Sequence, residues 1–454
     1  MTSAGLAERA LGQARGDALA HVTRERSLTL RFADGRPTQA TALDDFSVEL
    51  AVVRDGHVGR ASTNDLGGEA LAGCARRAEA AAEAAAATSR TGVHPGFAAI
   101  EAARNGSGEG HDPATAELDP STGGAALAAV FAAAGRRGVS AHGIWTAAEQ
   151  ERAVATASGQ AAVERTTDAF MKVICIAPDG RSGYAAKTAV AADAVNADRL
   201  AERAAAKAAV SGAPAELPPG EYPVVMEPHA TGWLLDLLGE TALNGLAHAE
   251  GRGALTGRLG HAVTAPAINL ADSPRAASTL PRRFDAEGVP KAPMPLIQDG
   301  VARAVVHDLH SAALAGATST GHAGVPGGHP QGPRPVNLVL AGGGAADLDE
   351  LCAPVERGIY VTRLWYANVV RPKETLITAV TRDGTFLIED GRVTRPLRDL
   401  RLTDSVLRIL SRASDLTAGQ ELTSDGEFYG RRFAYGVVCP GLRASAVRFT
   451  GAAG

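Results

Sequence analysis

Apolar residues recur at helical spacing over residues 6–22, with Leu6, Ala10, Leu11, Ala14 and Ala18 on one stripe, and predict an amphipathic helix. Strict alternation follows at 27–32 (Leu28, Leu30, Phe32) and again at 46–53, where Arg54-Asp55-Gly56 joins it to a short run at 57–61 as a hairpin. Three antiparallel strands are therefore expected after the opening helix. An alanine-rich stretch at 67–87 predicts a helix whose small side chains allow close approach to a sheet. Residues 89–121, rich in Gly, Pro, Ser, Thr and Asp, read as a surface connection. The order then repeats in outline: a helix at 123–134, strands at 139–146, 151–158, 161–167, 169–176 and 182–190, and a second alanine-rich helix at 198–210. The echo is one of helix, meander, helix, without repetition of sequence.

Three prolines within residues 213–221 mark the boundary between a first domain at 1–212 and a second at 222–454. The second half changes in texture. Strand-like runs at 223–226, 336–340, 359–363, 376–380, 385–388, 437–439 and 445–449 stand between glycine-rich turns, with helices expected at 232–246, 347–353 and 402–412. The fold class is α+β: an N-terminal α/β domain with an antiparallel sheet and long helices, then a β-rich, barrel-like domain with a few helices. Within it, residues 224–245 organise the rest. A β-branched run (Val224, Val225) stops at Pro228, Thr231 reads as an N-cap, and Trp233, Leu234, Leu235, Leu237, Leu238 and Leu243 form a core helix on which Asp236 and Glu240 share a face.

Composition removes several classes of function. A chain of 454 residues buries a core without staples, and a net charge of −5 with scattered Lys and Arg lacks the basic footprint of a nucleic-acid binder. Cys74, Cys175, Cys352 and Cys439 lie far apart with no C-x-x-C pair, which fits reduced thiols. Charges interrupt the apolar residues of 1–20, and no window of 18 apolar residues lacks charge, so neither a signal peptide nor a membrane span is expected and the chain reads as cytoplasmic.

Candidate chemistry is sparse. Asp236 and Glu240 could converge as a carboxylate metal site or an acid/base pair, but as the polar edge of a core helix, paired with arginines at a subunit interface, they need no such role. His307 and His310, three apart, are followed by His322 and His329, yet no cysteine or carboxylate pair completes a ligand set, and a solvated loop explains them equally well. The glycine clusters at 324–328 and 342–344 lack the order and the lysine of a phosphate loop, and no G-x-S-x-G elbow occurs.

Several runs of the second domain do carry a resemblance: F-D-A-E-G-V-P at 284–290, I-Q-D-G-V at 297–301, S-A-A-L-A-G-A-T-S-T-G at 311–321, P-V-N-L ending at Leu338, G-I-Y-V at 358–361 and I-E-D-G-R-V at 388–393. As an ordered set across 222–451 they resemble the TldD/TldE (PmbA) family, described as modulators of DNA gyrase and as paired subunits of a zinc peptidase. In the TldD subunit the helix after the first strand of this domain carries H-E-x-x-x-H, and a late cysteine is the third ligand. Two imidazoles and a thiolate leave zinc one position for water, with the glutamate as base. Laid on that pattern, this chain has Asp236 at the first histidine, Leu237 at the glutamate and Thr241 at the second histidine, with the third ligand position near Tyr429 and Cys439 outside the motif. No His-Glu dipeptide occurs anywhere.

The resemblance therefore implies TldE: a subunit with no catalytic residue and no cofactor of its own, paired as a heterodimer with a TldD-like chain that holds the zinc. It further implies a cleft for extended or unfolded peptide held by main-chain pairing, with Glu240, Ser319, Thr320, His322 and Asn337 as contacts to peptide or partner. Neither nucleic acid nor membrane is expected as a partner. Two other readings stay open on the sequence, a subunit of a related hydrolase complex in natural-product or modified-peptide maturation, and a binding module without catalysis.

Overall fold

The computed structural model describes residues 2–89, 92–97, 110–157, 161–424 and 431–452. Its first half runs α1 (Ser3–Leu11), β1 (Asp17–Ala33), β2 (Arg36–Arg54), β3 (His57–Thr63), α2 (Gly68–Thr88), α3 (Pro113–Ala116), α4 (Pro120–Arg136), β4 (Ser140–Thr156), β5 (Ala161–Ile176), β6 (Ser182–Ala189) and α5 (Ala197–Ala208). The six strands make one antiparallel sheet in the order β3-β2-β1-β4-β5-β6. Two meanders thus meet at the β1–β4 seam, and the helix-meander-helix echo becomes a two-fold-like pairing of half-sheets.

The likeness extends to packing. Gly59 of β3 lies beneath α2, where an added Cβ would stand 2.0 Å from the Ala78 carbonyl oxygen, and Gly183 of β6 lies beneath α5, where it would stand 2.1 Å from that of Ala204. Each alanine-rich helix therefore touches sheet backbone directly, which requires glycine below and alanine above. Gly183→Ala is expected to push α5 outward and to cost about 1–3 kcal/mol. The check is a lower urea midpoint at unchanged slope. Gly124→Ala, on the exposed face of α4 with no atom within 4 Å of the new Cβ, is instead expected to stabilise slightly.

Three sequence expectations change here. The helix expected at 6–22 ends at Leu11, because Gly12 caps it and Gly16, at φ 81°, turns the chain into β1, whose ladder runs from Asp17. The strands expected at 139–146 and 151–158 are one strand, β4, and those at 161–167 and 169–176 are one strand, β5. The polar residues that stood at the gaps, among them Gln150 and Asp168, are buried instead.

The second half begins at β7 (Gly220–Met226), followed by α6 (Pro228–Thr241), α7 (Gly245–Ala249), β8 (Leu270–Asp272), β9 (Met294–Gln298), β10 (Val301–Ala302), α8 (Leu309–Ala315), β11 (Leu338–Leu340) and α9 (Leu348–Cys352). Then come β12 (Arg357–Arg371), β13 (Leu376–Glu389), β14 (Arg392–Pro396), β15 (Leu400–Ser405), α10 (Val406–Ser411), β16 (Ala413–Thr423) and β17 (Val437–Ala452). Strand β7 pairs in parallel with β12, and the ladder continues through β13, β15 and β17, which returns to β7 antiparallel. A five-membered ring closes, as the barrel-like expectation required. The pairs of runs at 376–380 and 385–388, and at 437–439 and 445–449, are single strands, while the helix expected at 402–412 divides into β15 and α10 with Ser405 as N-cap.

Helix α6 packs Leu234, Leu235, Leu237 and Leu238 into the same core as Val224, Met226, Ile359, Val361, Leu402 and Leu442. It is apolar nearly all round, as a helix enclosed by strands must be. Among the described residues, no helix is long and apolar enough to cross a membrane.

Candidate functional site

The organising helix starts four residues earlier than its sequence suggests. Pro228, which ends β7, also occupies the first helical turn, where its fixed φ and missing N–H cost nothing. Thr231 is consequently inside the helix, buried with its hydroxyl unpartnered, and is not the N-cap. Glu227 takes the cap position, but its carboxylate faces elsewhere. It accepts from Tyr360 Oη at 2.9 Å and Thr362 Oγ1 at 3.2 Å, and pairs with Lys207 Nζ at 2.7 Å and Arg203 at 3.5 Å, both on α5. Burial alone would raise this carboxyl, yet the two cations outweigh burial and hold it below the usual range. The entry to α6 is thereby fixed by the first domain.

Further along α6, Asp236 is partly buried, 3.6 Å from Arg334 and accepting a hydrogen bond from Tyr435 Oη at 3.3 Å. The Arg334 guanidinium in turn lies 4.4 Å from the Tyr435 ring centroid. Leu237 is 6% exposed and packed in the barrel core. Thr241 is buried and donates its hydroxyl to the Leu237 carbonyl at 2.7 Å, which satisfies it within its own helix. A carboxylate held by an arginine, an alkyl group and a hydroxyl bonded to backbone do not supply the two imidazoles and the general base that the resembled zinc site uses. Cys439 is buried, with Sγ 3.1 Å from the Pro228 carbonyl, and burial pushes its thiol well above the usual range. Tyr429 lies outside the described residues.

Next to this helix is a cavity of about 290 Å³ between the two halves of the molecule. Arg152 of β4 comes from the first half; Glu240, Arg282, Phe284, Asp285, Lys291, His322, Arg334 and Phe433 come from the second. Arg152 is ion-paired to Glu164 and donates to the Phe284 carbonyl at 3.1 Å. Lys291 donates to the Gly321 carbonyl at 3.0 Å and stands 3.5 Å from Asp272, which also lies 3.3 Å from His322 Nε2 and accepts from the Asn337 N–H at 3.0 Å. Burial, then Lys291, lowers the His322 imidazole, so it is neutral at pH 7.

The F-D-A-E-G-V-P run builds the cavity's floor. Asp285 turns both oxygens onto backbone N–H groups, those of Glu287, Val289 and Ala323, at 2.9–3.0 Å. Glu287 accepts from the Leu309 N–H at 2.9 Å and faces His94 Nε2 at 3.5 Å, with both side chains fully buried. Burial, reinforced by Asp308, pushes the Glu287 carboxyl up to about 8, while burial pulls His94 down to about 4.

Of the residues that the sequence placed at a cleft, Glu240 and His322 stand on the cavity wall. Ser319, Thr320 and Asn337 lie behind it: Ser319 and Thr320 donate to the His307 carbonyl, and Asn337, fully buried, donates to that of Leu280 at 2.7 Å. The four imidazoles do not converge. His307 meets Ser311, His310 stacks near His94, His322 meets Asp272 and His329 is exposed, and among the described residues no group of three His, Cys, Asp or Glu could hold a metal. Asp236 and Glu240 share an arginine, Arg334, from their own chain. Sequence reasoning missed Arg152, Arg282, Lys291 and Phe433; Arg282 and Lys291 flank the 284–290 run, and that proximity was the available signal.

The PmbA/TldA metallopeptidase C-terminal domain matches residues 219–451, and domain 1 of the same family matches residues 22–82. A metalloprotease TldD homologue of Haemophilus influenzae is 28% identical over 232 residues, covering 49% of this chain and 46% of that protein. A metalloprotease of Methanothermobacter thermautotrophicus is 27% identical over 194 residues, 42% of each. The matched part thus spans less than half the length of either relative. Among solved structures, TldE of Thermococcus kodakarensis superposes with a TM-score of 0.82 at 19% identity over 98% of this chain and 99% of that one. A modulator of DNA gyrase from Thermotoga maritima gives 0.80 at 21% over the same shares. These two carry the fold. Because the C-terminal match alone takes in just over half of its 454 residues, the chain belongs to the PmbA/TldD family, that of the TldD/TldE-type metalloproteases.

Proposed function

We propose that this chain is the TldE-like subunit of a two-chain metallopeptidase: it binds no catalytic zinc, pairs with a TldD-like chain that does, and contributes a wall of the peptide chamber. The observation that carries the reading is the state of α6. At the positions where the resemblance puts two imidazoles and a glutamate stand Asp236, committed to Arg334 and Tyr435, Leu237, sealed in the core, and Thr241, bonded to its own helix. Held in this way, the three supply neither the imidazole ligands nor the general base of such a site. The structural likeness to a TldE supports the same assignment.

Elemental analysis of the purified chain is expected to find far less than about one zinc per chain, and unfolded peptide is expected to be cleaved only after a TldD-like chain is added. Stoichiometric zinc that is lost in Asp236→Ala, or chelator-insensitive cleavage by the isolated chain, would overturn the assignment.

A further inference from the structure

Among the described residues, Arg282 is a cation without an ion-pair partner. It is 4% exposed and stands in the wall of the 290 Å³ cavity. Its Nη2 donates to the Ala434 carbonyl and its guanidinium lies 4.3 Å from the Phe433 ring centroid, but Nε and Nη1 have no hydrogen-bond partner. Asp168 acts on it electrostatically, yet that carboxylate is engaged by Arg432 through both oxygens. Each of the other cations in the wall is matched, Arg152 by Glu164, Lys291 by Asp272 and Arg334 by Asp236. Burial pulls Arg282 down to about 10, so it remains charged at neutral pH. An unmatched buried charge is costly, and an anion entering the cavity relieves that cost.

The remaining walls narrow the choice of anion. Phe284, Phe433, Ala323, Val325 and Val336 give the cavity an apolar side that a bare inorganic ion would leave unused. Glu240 and Asp285 stand in the same wall and repel a dianion more than a monoanion. The volume equals that of about ten waters, enough for a small side chain beside a charged group.

We propose that this cavity holds the terminal carboxylate of a peptide, with Arg282 as its counter-ion and the apolar walls around the last side chain. The cavity and the cation stand on their own; that the acid is a peptide rests on the chamber reading given above. A carboxylate so placed is drawn to the charge of the buried guanidinium, which a carboxamide is not.

The test is isothermal titration of the isolated full chain at pH 7 with an N-acetylated Ala-Leu-Val peptide acid, its C-terminal amide and inorganic phosphate. The acid is expected to bind about tenfold to a hundredfold more tightly than the amide or phosphate, the range for hydrogen bonds to charged groups. Arg282→Gln, verified as folded by circular dichroism, is expected to erase that preference. Should Arg282→Gln fail to fold, Gly324→Phe replaces it: Gly324 is exposed in the cavity wall, has an ordinary φ, and no atom lies within 4 Å of a Cβ built there, so an added ring obstructs the cavity without strain and is expected to abolish acid binding. Equal binding of acid and amide, no binding of the acid, phosphate binding as tightly as the acid, or retention of the acid preference in the folded variant would each overturn the proposal. None of these outcomes touches the zinc and partner measurements, so the two readings fail separately.

Discussion

Asp168→Ala is expected to lower the stability of the whole chain by about 3–5 kcal/mol, the cost of leaving a buried ion-pair partner alone. Asp168 sits in the middle of β5, and Arg432, in the segment leading to β17, reaches across to it from the other half of the molecule. The guanidinium places Nε 3.0 Å from Asp168 Oδ1 and donates from Nη1 to Thr146 Oγ1 at 2.9 Å, while Gln150 donates to the Arg432 carbonyl at 2.6 Å. Both charged side chains are nearly sealed, at 6% and 2% exposure. Removing the carboxylate leaves Arg432 charged in a site that cannot hydrate it, and it also deprives Arg282 of a carboxylate that acts on it. The measurement is urea unfolding followed by far-UV circular dichroism. Adding Arg432→Met is expected to restore part of the loss, because an apolar pair of similar volume has no charge to desolvate. A change under about 0.5 kcal/mol, the size typical of surface substitutions, would show that the two halves are not tied at this point.

Glu287→Gln is expected to stabilise the protein, and more so as pH rises. The Glu287 carboxyl titrates near 8 in the folded chain and near its ordinary value of 4.5 in the unfolded one. Between those values the unfolded state releases its proton while the folded state retains it, so stability falls with pH by up to about 1.4 kcal/mol per unit. The contribution is complete below about 4.5 and gone above about 8. The neutral amide of the variant removes that slope and gains on the order of 4 kcal/mol over the native residue at pH 8, less what it loses against His94. Burial and Glu287 together raise Asp285 to about 7, so removing one charge eases the other. His94, pulled down to about 4, imposes the opposite slope below pH 6.5, and the comparison is therefore cleanest between pH 6.5 and 8. Thermal unfolding of both proteins across that window decides it: a constant difference in Tm would mean that Glu287 is ionised throughout.

Much of the fold was legible because it rests on local pattern. Alternation at 46–53 and the Asp55-Gly56 turn required the β2–β3 hairpin, and the run of alanines at 67–87 required a helix that could lie flat on strands. What failed was non-local. Gln150 and Asp168 interrupt two strands in sequence, yet they are polar because Arg432, 264 residues from Asp168, comes to rest on them. Thr231 has the right chemistry for a cap, but Pro228 had already set the helix in motion. The site divides in the same way. Asp236, Leu237 and Thr241 were singled out by laying one helix on the pattern of the family it resembles; the cavity beside them could not be found so, since Arg152 and Arg282 are 130 residues apart and meet only when the halves dock.

The closed ring of strands also sets a timetable. Strand β7 leaves the ribosome early in the second half of the chain, but its second neighbour, β17, begins 211 residues after β7 ends, at Val437 against Met226. At about 5–20 residues per second that interval lasts roughly 10–40 s, during which one side of Val224-Val225-Met226 has no strand to pair with. The first sheet, complete by Ala189, is finished before this wait begins. A growing chain therefore carries a folded amino-terminal body and an open, greasy seam, and a translation pause shortly before Val437 would lengthen the period in which that seam is open to chaperones or to another nascent chain.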